Sequence, residues 1–170
     1  MKTDSPLARA ECVERQAMPD GPVYRSPTGA RVEVKRRVLN RMLAVAGNGA
    51  VSDEGGGILI GRRVLDSADM VVDEVTLPFP TDRRSRFSFL RRRQGHQQAL
   101  DAAWRASGEV ATYLGEWHTH PAPIPEPSPQ DLKNWRDLTR QHGTRLIFLI
   151  VSTAGAIGCW GDEGVWEEER

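Results

Sequence analysis

Two histidines stand one residue apart in Gly115-Glu116-Trp117-His118-Thr119-His120-Pro121, and a serine and a carboxylate follow in Ser128-Pro129-Gln130-Asp131. Side chains at i and i+2 share a face only on an extended backbone, so both imidazoles reach one point if this segment is a strand. The preceding Val110-Ala111-Thr112-Tyr113-Leu114 is β-branched and aromatic enough to supply it. The chain then returns through a loop carrying Pro121, Pro123, Pro125 and Pro127, and Asp131 can close the cluster from a helix. Two neutral nitrogens and one carboxylate oxygen make a three-ligand set for zinc with one tetrahedral position left for water. That open position marks a catalytic ion rather than a structural one.

Each part also has an ordinary explanation. Ser128-Pro129-Gln130-Asp131 reads as a helix start, with serine at the N-cap and proline at the first helical position. A helix start holds a carboxylate rigidly, so the cap and the ligand are compatible. Gly55-Gly56-Gly57 invites a phosphate-loop reading, but no Lys-Ser or Lys-Thr follows. Close approach of this backbone to a substrate strand is the better expectation. Arg83, Arg84, Arg86, Arg91, Arg92 and Arg93 form a basic cluster. A solvated face accounts for most such clusters; an acidic partner surface, a substrate carboxylate and nucleic acid are the alternatives.

The spacing His118-x-His120, seven residues, Ser128, two residues, Asp131 resembles the motif of the JAB/MPN+ (JAMM) metalloproteases. That family carries an upstream glutamate leading into a glycine-rich strand, and Glu54-Gly55-Gly56-Gly57-Ile58-Leu59-Ile60-Gly61 is similar to it. The resemblance implies an α/β fold, the cytidine-deaminase-like JAB/MPN core, with a mixed β-sheet flanked by helices. It implies one zinc ion per chain on His118, His120 and Asp131. By the same resemblance Glu54 takes a proton from the attacking water and passes it to the leaving amine. Ser128 donates a hydrogen bond to the oxyanion, and Asp53 and Glu116 are the carboxylates most easily mistaken for the base. Glu116 could orient the site, Trp117 should pack, and Thr119 should point to the opposite sheet face.

A narrower resemblance rests on Asp82-Arg83-Arg84-Ser85-Arg86-Phe87, Gly95-His96-Gln97 and the segment Tyr113 to Pro121. These are similar to the stand-alone bacterial JAB peptidases of CBASS anti-phage operons. In those systems a ubiquitin-like conjugation enzyme joins a cGAS-like nucleotidyltransferase, through its C-terminus, to target molecules, and the JAB partner cuts that bond. The implied function is a deubiquitinase-like zinc isopeptidase whose protein substrate carries an extended C-terminal tail. A non-catalytic MPN-type scaffold is the first alternative, but scaffold members usually lose one or more of the five motif residues retained here. A RadC-like DNA-associated JAB protein is the second. Trp117 in place of a polar residue and the lack of a helix-hairpin-helix segment disfavour it.

The 170 residues suit one domain, with residues 1–21 expected as a flexible lead-in and 22–170 as the metallopeptidase domain. Formal net charge is zero, so a general attraction to nucleic acid or to an anionic membrane is not indicated. The longest apolar run, Leu146 to Val151, is strand-sized, and a cytoplasmic protein with no membrane partner is expected. Cys12 falls in the lead-in and Cys159 in an apolar strand, so no disulfide framework is expected.

The elements that must position the motif are readable in outline. Val23–Ser26 and Ala30–Val34 suggest a hairpin, and Val38, Leu39, Met42, Leu43 and Ala46 a helix ended by Gly47 or Gly49. Strands are expected over Gly57–Gly61, Met70–Leu77 and Phe87–Phe89. A helix from His96 to Ala106 should turn Leu100, Ala103 and Trp104 inward. The motif strand, a helix over Pro129–Gln141, a buried strand at 144–152 and a final strand from Ala156 to Trp160 complete the order.

Overall fold

The structure is a computed structural model that describes residues 19–47, 53–86 and 88–170. Two short strands, β1 (Val23–Arg25) and β2 (Arg31–Val34), form the expected hairpin and lead into helix α1 (Arg36–Gly47). Strand β3 (Gly56–Arg63) pairs antiparallel with β4 (Met70–Val75), and a separate two-stranded hairpin, β5 (Arg83–Ser85) and β6 (Ser88–Leu90), follows. Helix α2 (Arg93–Ala106), the motif strand β7 (Thr112–His120) and helix α3 (Pro129–His142) come next. The chain continues through β8 (Ile147–Ser152), β9 (Ile157–Gly161) and β10 (Gly164–Glu168).

Eight of these strands form one mixed sheet, in the order β1-β10-β9-β8-β7-β3-β4-β2, which closes where β1 meets β2. The pairs β2–β4 and β7–β8 are parallel and the others antiparallel. On the inner face Val38, Leu39 and Met42 of α1 pack with Leu59, Val72, Leu114, Trp117, Leu149 and Trp166. On the outer face Trp135 of α3 packs with Leu146, Phe148 and Ile150. Because both faces of β8 are covered, all six of its residues are buried, which explains its unbroken apolar run.

The motif strand is not regular. Its register against β3 shifts, so that Leu59 faces Gly115 while Ile60 faces Tyr113. Leu114 is thus the extra residue of a bulge, and Gly115 takes φ +142. A Cβ there would lie 1.8 Å from the Ile147 carbonyl oxygen, so only glycine fits. The bulge lets Tyr113 and Glu116 share the outer face although they stand three positions apart.

Two expectations need correction. The strand ending at Trp160 is not the last, since β10 follows and pairs with both β9 and β1 to close the sheet. Helix α2 does not turn Trp104 inward: that ring is 43% exposed, and the buried residue of α2 is His96. The His96 Nδ1 lies 2.6 Å from Thr76 Oγ1, and its Nε2 lies 3.1 Å from Asp82 Oδ2. Thr76 Oγ1 already accepts from the Ile58 amide, so its proton is free for Nδ1 and the Nε2 proton for Asp82. Of the expected lead-in, residues 1–18, with Cys12, lie outside the described residues, as do Gly49 and Phe87. Asp20 and Pro22 are already tied to β2, through Glu33 Oε1 and the Val34 amide.

Burial holds the His96 ring below its ordinary value of 6.5, against the pull of Asp82. Burial works against ionisation of Asp82 too, but the amides of Arg92 and Phe79 and the His96 ring outweigh it and keep Asp82 below 3.8. Both folded values are depressed, so the unfolded chain binds protons first as pH falls. The His96 contribution is present above pH 6.5 and is lost as pH drops through and below that value, and the Asp82 contribution goes below pH 3.8. Melting temperature should therefore decline from pH 7 to 5.5 in the wild type. His96→Gln should melt lower at pH 7 and show a flatter decline over that interval; an equal slope in both proteins would discount this role.

Candidate functional site

Strand β7 sends His118 and His120 to its outer face, with ring centroids 4.8 Å apart and Nε2 atoms 2.9 Å apart. The first turn of α3 brings in Asp131, whose Oδ1 lies 3.4 Å from His118 Nε2 and Oδ2 3.3 Å from His120 Nε2. Tetrahedral donors at about 2.0–2.1 Å from a zinc ion lie about 3.3 Å from one another, so each nitrogen–oxygen separation is that of a ligand pair, the two imidazoles meeting different oxygens of the carboxylate. The nitrogen pair is slightly closer. Among the described residues these three form a group that could hold a metal ion, and their chemistry, two imidazoles and a carboxylate, suits zinc.

The carboxylate is oriented from behind. Asp131 Oδ2 accepts from the Ser128 amide at 2.8 Å and from the Ser128 hydroxyl at 2.6 Å, while the Asp131 amide donates to Ser128 Oγ at 3.1 Å. This is a complete capping box with Pro129 in the first turn, so the helix start and the ligand are one structure. Burial opposes ionisation of Asp131, but both histidines and Ser128 outweigh it and hold the carboxyl far below the usual range. The Asp131 hydrogen bond in turn raises His120 above its ordinary value, against burial.

Glu54, 8% exposed, lines the same open cavity of about 470 Å³ as the three donors and Ser128. Burial pushes its carboxyl up, the two histidines pull it down and Asp131 adds to the rise; the balance is upward. A carboxyl raised in this way is a better proton acceptor than an exposed glutamate. The structure brings together all five residues expected from the motif. It also separates Glu54 from the other carboxylates. Glu116 is taken by Arg91, whose Nη2 lies 2.6 Å from Glu116 Oε1, and Asp53 is exposed. Trp117 packs in the inner core, as expected, and its Nε1 donates to the Thr76 carbonyl. Thr119 is buried and faces Gly55, not the donors, with its Oγ1 accepting from the Gly55 amide.

The glycine run has a different cause from the one expected. A Cβ on Gly56 would lie 2.3 Å from the Trp117 carbonyl oxygen, and one on Gly57 would lie 2.2 Å from that of Thr76. The close approach comes from the protein's own strands β7 and β4, not from a substrate strand. The basic cluster also divides. Arg84, though exposed, bonds the Glu54 carbonyl and half-buried Arg91 pairs with Glu116, whereas Arg83, Arg92 and Arg93 are simply exposed. Neither Arg84 nor Arg91 was legible as a site residue, because their partners are met only once the β5–β6 hairpin has formed.

A mixed sheet wrapped on one helix, with a group able to hold a metal ion on the outer strand face, is the JAB/MPN core. The family described as prokaryotic homologs of the JAB domain matches residues 35–162, and the chain belongs to it. A CD-NTase/cGAS isopeptidase of Vibrio cholerae is 33% identical over 128 residues, which cover 75% of this chain and 81% of the relative. One of the same name from Pseudomonas aeruginosa is 38% identical over 98 residues, or 58% of this chain. That match spans only 61% of the Pseudomonas protein's length. The solution structure of protein DSY2949 from Desulfitobacterium hafniense superposes with a TM-score of 0.58 at 26% identity, covering 82% of this chain and 90% of that one.

Proposed function

We propose that this chain is a zinc-dependent JAMM metallo(iso)peptidase that hydrolyses the bond between the C-terminus of a conjugated protein and its target. The observation that carries this reading is the convergence of Glu54 with His118, His120 and Asp131 in one open cavity. A zinc ion held by His118, His120 and Asp131 would polarise the scissile carbonyl and make water acidic enough to ionise near neutral pH. Glu54 accepts the proton of the attacking water and delivers it to the departing amine. Ser128 Oγ, on the cavity wall, keeps Asp131 in place by donating to Oδ2, and would turn that proton to the developing oxyanion. The Arg91–Glu116 pair keeps a competing carboxylate neutralised beside the donors.

The names of the Vibrio and Pseudomonas relatives support a substrate related to the CD-NTase/cGAS proteins. The conjugated protein is then a cGAS-like nucleotidyltransferase with an extended C-terminal tail, and the setting is CBASS anti-phage defence in the cytoplasm. Among the described residues no helix is long and apolar enough to cross a membrane. The scaffold alternative finds little support in a site whose five motif residues all converge.

The test is cleavage of a fusion in which a cGAS-like nucleotidyltransferase is extended at its C-terminus by a reporter protein. Metal-loaded wild type should cut at the junction, and a chelator should stop it. Zinc bound at one ion per chain without cutting would reject this substrate. Neither zinc nor cutting would reject the enzyme and favour the scaffold.

A further inference from the structure

Glu54 lies just outside regular structure, since β3 begins at Gly56, so the direction of its side chain depends on what holds its backbone. Strand β5 holds it on one side. The Glu54 amide donates to the Ser85 carbonyl at 2.8 Å, and Arg84 Nε donates to the Glu54 carbonyl at 2.9 Å. Arg84 Nη2 reaches the preceding carbonyl, that of Asp53, at 3.1 Å. One guanidinium thus bridges two consecutive carbonyls. On the other side Gly55 is fastened to the residue between the two histidines: its amide donates to Thr119 Oγ1 at 2.9 Å, and its carbonyl accepts from the Thr119 amide at 2.7 Å. Gly55 itself reflects the arginine, because a Cβ there would lie 3.1 Å from Arg84 Nη2 and 2.9 Å from Val45 Cγ1.

Resting on the reading of Glu54 as the proton-transfer base, we propose that Arg84 is a positioning residue for the reaction: its guanidinium fork fixes the Glu54 backbone, and so the carboxylate, relative to His118, His120 and Asp131. The fork acts from a fixed frame. Asp82, next to β5, accepts from the Phe79 and Arg92 amides at 2.7 Å each and meets the buried His96 ring. A lysine at position 84 would keep the charge but place only one nitrogen against two carbonyls.

The experiment compares full-length, metal-loaded wild type, Arg84→Lys, Arg84→Met and Glu54→Gln on the fusion substrate. It follows kcat, KM, bound metal and amide exchange at Glu54 and Gly55. Misplacement of a reacting group by about 1 Å costs about 100-fold, so Arg84→Met should lose about 10- to 100-fold in kcat. KM and metal stoichiometry should hold, Arg84→Lys should fall between, and exchange at Glu54 and Gly55 should quicken while β8 stays protected. A general packing role would instead move KM, metal content and β8 exchange together. Unchanged kcat in Arg84→Met and Arg84→Lys, with Glu54→Gln inactive, would overturn the positioning role alone. Full turnover in Glu54→Gln would overturn the base assignment and the positioning role with it.

Discussion

Glu54→Gln is expected to lower kcat by about 10²- to 10⁴-fold, the usual worth of a positioned acid–base group, while the protein still binds one metal ion per chain. The change is nearly isosteric, and among the described residues no hydrogen bond by the Glu54 carboxylate holds the fold, so a Tm shift of more than a few degrees would point to a structural role. The pH dependence follows from burial. Because the Glu54 carboxyl is raised above the ordinary 4.5, the acid limb of kcat/KM in the wild type should lie above that value. Turnover is lost as pH falls through the raised value and the base becomes protonated. In Glu54→Gln that limb should vanish along with most of the rate. A limb that stayed at the same pH in the variant would belong to another group.

The second large effect concerns the donors. His120→Ala removes one of the three proposed ligands, and metal binding should fall below detection at micromolar zinc, with cleavage at background. Chelation of the wild type should have the same consequence and be reversed by added zinc. The effect is also visible without a substrate. A ligand that binds only the folded state adds about 2.7 kcal/mol of stability at 100 times its Kd. Zinc should therefore raise the unfolding midpoint of the wild type and leave that of His120→Ala unmoved. An equal rise in both would place the stabilising ion elsewhere.

The convergence of the three proposed donors was legible because it depends on local structure. His118 and His120 need only an extended backbone, and Asp131 needs only the helix start that Ser128 and Pro129 announce. The β1–β2 hairpin, α1, β3 and β8 were readable for the same reason, from periodicity and apolar runs. What was not legible depends on pairing between distant segments. Strand β10 buries a single residue, Trp166, amid exposed neighbours, and its pairing with β1 joins the two ends of the described chain. Strand β5 is Arg-Arg-Ser, fully exposed on its own showing, and becomes a strand only against β6. His96 carries a polar, titratable ring, and its burial is allowed by Thr76 and Asp82, which bond both ring nitrogens. Arg84 and Arg91 looked alike among six arginines, and only the fold tells them from Arg83.

The bulge at Leu114 bears on which changes of length this protein tolerates. A strand with an extra residue has two phases, one on either side of the irregularity, and here Tyr113 belongs to the first and the donors to the second. Deleting one residue at the bulge, between Tyr113 and Glu116, would remove the irregularity and leave Tyr113 and the two imidazoles on one face by plain alternation, whereas deleting Thr119 would turn one imidazole into the Trp117 core. The proline-bearing loop at 121–127 carries no such phase, because α3 begins afresh at its own cap. Relatives could therefore differ in length after Pro121 or by one residue at the bulge, but not between Glu116 and His120, where a gap would separate the two imidazoles.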